Sequence, residues 1–487
     1  MTEANKPSGK NILSGLIWKF AERFGVQISL FVLQIVLARI LDPEHYGVLS
    51  MMLIFTTLAN VFIQRGFNTA LVQNKDVTEE DYSSVFWVTM TVAAFLYGIL
   101  FFSAPLIAKF YNMPDLTAPF RVLCLVLFPG GLNSVQLAKV SRKLDFKKVF
   151  RSNILAILIS GAVGIVSALM GAGLWALVLQ KLLNVGIACL IMWITVKWRP
   201  KAVFNVARVK VLFSYGWKIL VSGLIDSLYQ ELRSLVIGKK YSAGMLGYYN
   251  RGKQFPQFII NSIDAAVKGV LLPSLSRYQS EKDRLKNMMR TTITVSAFVI
   301  FPMMAGLAGV ADALVGILLT DKWLPCVPYM QIYCFTLAFH PVHSCNLQAI
   351  NATGRSDIFL KLEVIKKIIG VIALVIAVAC FNSPIAIAMT GIVTTLINCF
   401  VNAYPNRKLV GYSYKEQMLD ILPAFTAAVL MFGVVLLIPL LQLNRYATIA
   451  VQIVAGVAVY VGLAVVFRIK AFDTILTVIK KYLKKKV

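Results

Sequence analysis

Apolar segments long enough to cross a bilayer recur along almost the whole chain, separated by short polar stretches. They fall at roughly 14–40, 46–72, 84–108, 117–138, 152–171, 173–196, 212–237, 246–275, 290–317, 327–351, 358–381, 384–404, 418–440 and 446–467. About 20 predominantly apolar residues span the hydrocarbon as a helix, so the pattern predicts about fourteen transmembrane helices and no separate soluble domain. The polar extensions are the first dozen residues and the tail after Phe467. No cleavable signal peptide is expected, because the first apolar segment is too long and lacks a small-residue cleavage site. It is expected to act as an uncleaved targeting signal.

The eighth segment, Leu246 to Pro273, breaks the pattern. It carries Arg251, Lys253, Asp264 and Lys268 among its apolar residues. Asn250, Gln254, Gln257, Asn261, Asp264 and Lys268 follow one another at intervals of three and four, so they share one helical face. A charge at the bilayer centre costs roughly 2.5–3.5 kcal/mol on insertion scales, so such a face needs water, a partner helix or a substrate. Similar faces occur in span one (Lys19, Arg23, Gln27 and Gln34, with Glu22 beside them) and span two (Ser50, Thr57, Asn60, Gln64 and Asn68, with Arg65 adjacent). Span seven adds Ser222, Asp226, Gln230 and Arg233, with Glu231 adjacent.

These faces belong to an internal repeat. Trp18-Lys19 in span one matches Trp217-Lys218 in span seven, and the turn DPEHYG ending at Gly47 matches SAGMLG ending at Gly247. Spans one to six and seven to twelve then form two six-helix lobes, residues 1–204 and 205–410, around a central cavity. Spans thirteen and fourteen (411–468) have no counterpart and read as an appended helix pair. Residues 469–487 alternate apolar positions with Lys480, Lys481, Lys484, Lys485 and Lys486. This tail reads as a basic amphipathic helix on the anionic cytoplasmic leaflet.

Composition agrees with this reading: 58% of residues are hydrophobic and the mean hydropathy is +0.73. The formal charge of +27, from 49 Lys and Arg against 22 Asp and Glu, would suggest nucleic acid in a soluble chain. Here it is topological, because basic residues collect on the cytoplasmic side of membrane proteins. Placing both termini in the cytoplasm puts Lys139, Arg142, Lys143, Arg199, Lys201, Arg277 and Arg284 on that side. Lys19, Arg23, Arg65, Lys218, Arg233, Arg251, Lys253 and Lys268 lie within or just inside spans one, two, seven and eight, where that rule does not explain them.

Catalytic signatures are absent. The seven cysteines are scattered without a CxxC pair and read as small core residues. His340 and His343 flank Pro341 on span ten; no carboxylate or Cys ligand set accompanies them, so the expectation is a kinked helix and no metal site. GAGLWA at 171–176 reads as a tight turn. No Walker, HExxH or G-x-S-x-G element occurs, so the chain is expected not to be an enzyme and to need no cofactor. The outward loops are too short to present a glycosyl-transfer site.

LARILDPEHYGVLSM at 37–51 resembles the turn between the first two spans of polysaccharide flippases, with Asp42 where Gly is usual. LGYYNRGKQFP at 246–256 and LQAINATGRSD at 347–357 resemble segments of their WzxC-like branch. The resemblance covers the whole chain and implies the multidrug/oligosaccharidyl-lipid/polysaccharide exporter fold. It implies a multi-pass cell-membrane transporter that flips an undecaprenyl-pyrophosphate-linked oligosaccharide to the outer leaflet by alternating access. A polymerase and glycosyltransferases of the same pathway would be its protein partners, and nucleic acid would not.

Arginine offers bidentate phosphate contacts and lysine a compact charge. The expected substrate-binding cations are therefore Lys19, Arg23, Arg65, Arg233, Arg251, Lys253 and Lys268, with Asn60, Gln64, Gln254, Gln257 and Asn261 as polar lining. Glu22, Asp226, Glu231 and Asp264 are candidates for proton or sodium coupling; they read equally as counter-ions of the basic residues. The rival readings are a cation-coupled multidrug antiporter, which acidic linings would suit better, and a lipid II flippase, which shares the span count.

Overall fold

The computed structural model describes residues 9–64, 67–74, 76–279 and 281–484. The side chains of Lys19, Glu22, Arg23, Arg65 and Lys268 lie outside what it describes. Every regular element among the described residues is helical. The chain divides into two compact units, residues 1–247 and 248–487.

The first unit contains α1 (Gly9–Ile40), α2 (Pro43–Gln64), α3 (Phe67–Gln73), α4 (Glu79–Tyr111), α5 (Thr117–Cys124), α6 (Leu127–Lys143), α7 (Phe146–Leu169), α8 (Leu174–Val196) and α9 (Val206–Lys240). The start of α10 (Ala243–Arg277) closes it. Between apolar helices there is little hydrophobic drive, so close approach must come from small residues. In α7 the ladder Ala156, Ser160, Gly164 and Ala168 is fully buried and lets α1 and α8 pack closely. Asn184 of α8 donates to Ser160 Oγ at 3.2 Å across that contact. Phe95, Phe102 and Leu106 of α4, by contrast, are largely exposed, as a lipid-facing surface requires.

The two repeat-related turns meet inside this unit. A Cβ on Gly47 would collide with the Ala243 carbonyl, and a Cβ on Gly247 with the Pro43 carbonyl. Each glycine thus abuts the carbonyl four residues before its counterpart. That reciprocity supports the repeat and explains why both turns end in glycine.

The connection from α8 to α9 is pinned along its length. Trp198 donates its indole N–H to Glu79 at 2.8 Å, Gln136 donates to the Trp198 carbonyl, and the Lys201 and Asn205 amides donate to Ser83 and Ser84. Arg208 forks onto Asp81 at 2.8 and 2.6 Å. Asp81 also closes the capping box of α4 with Thr78. α9 packs against α2, α3 and α4, so this unit groups helices by contact, whereas the boundary at 204 and 205 follows the sequence repeat.

The second unit holds the rest of α10, then α11 (Lys282–Gly309), α12 (Ala311–Leu318), α13 (Val327–Ala338), α14 (His340–Ala352), α15 (Ser356–Cys380), α16 (Pro384–Ala403), α17 (Asn406–Leu409), α18 (Tyr414–Leu437), α19 (Arg445–Val466) and α20 (Lys470–Lys484). The predicted appended pair, α18 and α19, is tied into it by polar bonds. Gln452 donates to the Gly309 and Val435 carbonyls, and the Tyr460 hydroxyl to the Phe298 carbonyl at 2.8 Å. The tail helix α20 begins on α11, with Phe472 against Phe298 and Ile469 and Ala471 buried.

Among the described residues nine helices are long and apolar enough to cross a membrane; bent α9, with 50° between its halves, would be a tenth. Other predicted spans miss that test for visible reasons. α10 carries its polar face, α13 and α14 are the two short halves of one segment, and α15 keeps Glu363, Lys366 and Lys367. The chain is a multi-pass membrane protein.

Candidate functional site

α10 is one continuous helix of 35 residues with a buried strip through its first half. Arg251, Gly252, Phe255, Pro256 and Ile260 are buried. Asn250, Lys253, Gln254, Gln257 and Asp264 are half-buried, and Asn261 is exposed. None of the described positions of the three-and-four spacing is buried, and Phe258, Ile259, Ser262 and Ile263 between them are half-buried as well.

The buried side explains most of the motif LGYYNRGKQFP. A Cβ on Gly252 would lie 2.6 Å from the Cys326 carbonyl and 2.8 Å from the Met330 nitrogen, so α10 touches the backbone of residues 326–330 there. Tyr248 meets fully buried Trp323 edge-on, and Tyr249 meets Tyr329 and Tyr333 in the same way. The Tyr249 and Tyr333 hydroxyls are hydrogen-bonded to one another.

Two neighbouring cations take different environments. Arg251 is 5% exposed, its guanidinium lies 4.9 Å from the Trp323 ring centroid, and its Nη1 donates to Gln254 Oε1 at 2.7 Å. Cation–π contact with a desolvated Trp is the strong form of that interaction. Expected among the substrate cations, Arg251 is thus already engaged inside the second unit, where it holds Gln254 in place. Lys253 is half-buried on the accessible side, its ammonium 5.9 Å from the Tyr333 ring.

Further along the face, Gln257 donates to Asn261 Oδ1 at 2.7 Å. On α2, Gln64 donates to Asn60 Oδ1 at 3.1 Å in the same i, i+4 arrangement. On α9, Asp226, Glu231 and Arg233 are half-buried. Lys19, Glu22, Arg23, Arg65 and Lys268 lie outside the described side chains.

Residue spacing gives no sign of Trp323, Tyr333 or the group that faces Asp264. Asp264 Oδ1 faces His340 Nδ1 at 3.4 Å. His340 opens α14 directly after Phe339, where the helical segment is interrupted before Pro341. His343, one turn on, contacts Cys399 Sγ at 3.6 Å and Asn402 Nδ2 at 3.3 Å. The HPVH sequence was the available signal, and it points to a kink as readily as to a pair. Among the described residues no three His, Cys, Asp or Glu side chains converge as a metal site would require.

The segment 347–357, the end of α14 and the turn into α15, is local architecture. Arg355 forks onto Asp357 at 2.9 and 2.8 Å and holds that carboxyl well below the usual carboxylate range. The pair fixes the first turn of α15.

A model of the family described as "Polysaccharide biosynthesis protein" matches residues 36–328. The chain belongs to this family. It is 23% identical to the teichuronic acid biosynthesis protein TuaB of Bacillus subtilis over 94% of this chain and 95% of that one. It is 25% identical to the lipopolysaccharide biosynthesis protein WzxC of Escherichia coli over 79% of each. Its fold is similar to that of the lipid II flippase MurJ in an inward closed conformation, with a TM-score of 0.72 at 14% identity over 93% of this chain and 98% of that one. An inward-facing multidrug MATE transporter gives a TM-score of 0.59 at 14% identity, over 79% of this chain and 95% of that one. At these identities the two structures establish the fold: this polysaccharide biosynthesis protein has the architecture of a membrane transporter.

Proposed function

We propose that this chain is a flippase. It carries an undecaprenyl-pyrophosphate-linked oligosaccharide from the cytoplasmic to the outer leaflet of the cell membrane, for cell-surface polysaccharide synthesis. One observation carries the reading: the accessible amide and lysine face of α10, on a helix of bilayer length, in a family of polysaccharide biosynthesis proteins. Hydroxyl-rich sugars exchange hydrogen bonds with amides at little net cost, so such a face replaces the hydration of a glycan. No bond has to be broken, so the chain acts by alternating access and not as an enzyme.

The proposed pyrophosphate contacts are Lys19, Arg23, Arg65, Arg233, Lys253 and Lys268. Arg251 takes a positioning role through Gln254. In this reading both termini lie in the cytoplasm, which the basic loops support, and the glycan's lipid tail stays in the bilayer. An exporter of organic cations would need acidic residues where this chain has lysine and arginine, so the multidrug reading is the weaker one.

Complementation tests this directly. In a strain lacking the gene, the wild-type chain should restore surface glycan. Lys253→Ala at normal membrane abundance should leave the lipid-linked oligosaccharide on the inner leaflet, and Lys253→Arg should restore much of the export. Full export by Lys253→Ala combined with Arg233→Ala would rule the cationic path out.

A further inference from the structure

We infer that the cleft formed by residues 114–122 and Trp175, in the first unit, seats a zwitterionic phospholipid head group, with Arg121 taking the phosphate and Asp115 the ammonium. The site lies apart from the α10 face and does not depend on the glycan reading. With both termini in the cytoplasm, it opens at the outer leaflet.

Arg121 stands on α5, at the outward end of a span, where the bias of basic residues to the cytoplasm leaves few cations. Part of its role is structural. Pro105 lies inside α4, so the Phe101 carbonyl four residues earlier receives no backbone N–H. Arg121 Nε donates to that carbonyl at 3.1 Å, and its guanidinium carbon stands 4.3 Å from the Phe101 ring centroid. A neutral donor would satisfy the carbonyl equally well, so the charge is left over. Among the described residues Arg121 makes no ion pair, and its terminal nitrogens donate to no protein group.

Asp115 brings the opposite charge to the same cleft. The single 3₁₀ turn Pro114–Leu116 buries Leu116 and leaves Asp115 exposed. Its carboxylate bonds no other described residue, Arg121 included. Two opposite charges thus line one cleft of about 640 Å³ without pairing, beside Thr117, Val122 and Trp175.

The turn that presents Trp175 fixes the depth of the cleft. Gly171 and Gly173, at φ +80° and +52°, reverse the chain between α7 and α8, and the Trp175 amide donates to the Ala172 carbonyl at 3.0 Å. Leu169 and Met170, just before that turn, are 70% and 81% exposed. Apolar side chains so bare belong in hydrocarbon, which sets the cleft at the boundary between acyl chains and head groups, the level Trp favours.

Depth and charge together select the occupant. An anionic lipid would bring its extra negative charge against Asp115, and a lone cation would meet Arg121. A free glycan gains nothing from the hydrocarbon boundary. A head group that joins a phosphate to an ammonium satisfies both side chains, the guanidinium forking onto phosphate and the carboxylate accepting from ammonium. Seated there, the lipid ties the Pro105 region of α4 to α5 and α8.

Native mass spectrometry of the full-length protein, released from bilayers of phosphatidylethanolamine and phosphatidylglycerol in equal amounts, tests this. The wild type should retain the ethanolamine lipid about fivefold over the glycerol lipid. Asp115→Asn should bring that ratio close to one without weakening retention of the glycerol lipid, because only the ammonium loses its partner. Arg121→Gln keeps a donor for the Phe101 carbonyl and should lower retention of either lipid about tenfold. Equal retention of the two lipids by the wild type, or a preference unchanged in Asp115→Asn, overturns the assignment. So does undecaprenyl pyrophosphate that displaces the ethanolamine lipid from wild type and Asp115→Asn alike, which would make the cleft a polyprenyl phosphate site. If Arg121→Gln does not fold, Asp115→Asn decides alone, since it alters one exposed side chain on a surface turn. The readout involves no transport, so failure of this site and failure of the flippase reading are separate results.

Discussion

The two ends of α10 carry polar residues for opposite purposes. From Leu246 to Pro256 nearly every distinctive side chain is locked to its surroundings: Gly247 against the Pro43 carbonyl, Gly252 against the Cys326 carbonyl, and Arg251 against Trp323. From Gln257 to Asp264 the polar groups form short pairs along an accessible side. A local motif is therefore a poor guide to which side chains stay accessible. The most recognisable residues hold the helix in place, and the less conspicuous amides beyond them are half-buried or exposed.

This contrast can be broken experimentally, and the largest effect is expected at the locked end. Gly252→Leu forces a side chain into backbone that cannot yield, and overpacking costs about 1–3 kcal/mol even against movable side chains. Most of the monodisperse peak should be lost in fluorescence-detected size-exclusion chromatography; normal recovery would show that the locked end yields. Arg251→Ala comes next. It removes a desolvated cation–π contact and a charged hydrogen bond, together worth about 2–4 kcal/mol. Its melting temperature should fall clearly, and export should fall with it.

Lys253→Ala should show the reverse pattern. Its half-buried position and the 5.9 Å separation from Tyr333 imply a stability change under about 1 kcal/mol, while glycan export is expected to drop severely. Equal thermal losses in Arg251→Ala and Lys253→Ala would erase the distinction drawn here. The smallest effect belongs to Gln257→Ala, which removes one exposed amide pair worth about 0.5 kcal/mol. A modest loss of export without thermal change is expected, measured as surface glycan per unit of membrane protein.

Much of this architecture could be read in the sequence because its causes are local. Apolar length marks spans, i, i+4 spacing marks a face, and the paired turns mark a repeat whose glycines do meet reciprocally. Among the described residues nine helices are long and apolar enough where about fourteen segments were expected, because a helix with a polar face is no longer apolar enough and a span broken into two short helices is no longer long enough. What could not be read was pairing at long range. Nothing near Arg251 announces Trp323, and nothing near Asp264 announces His340. The pinned α8–α9 connection was equally hidden, because Asp81 and Arg208 look like ordinary loop charges until the fold brings them to 2.6 Å. Burial decided the rest: charge alone could not separate Arg251 from Lys253.

The most direct test of the central claim is thiol accessibility along α10. Cys380 is the exposed one of the seven cysteines, so a Cys380→Ser background suits the labelling. Gln257→Cys and Asn261→Cys should react rapidly with a membrane-impermeant methanethiosulfonate, and added lipid-linked oligosaccharide should slow both. Ile260→Cys, on the packed side, should stay unreactive. Reaction at 260 equal to that at 257 and 261, or no protection by the lipid-linked oligosaccharide, would contradict the assignment of this face as the glycan path.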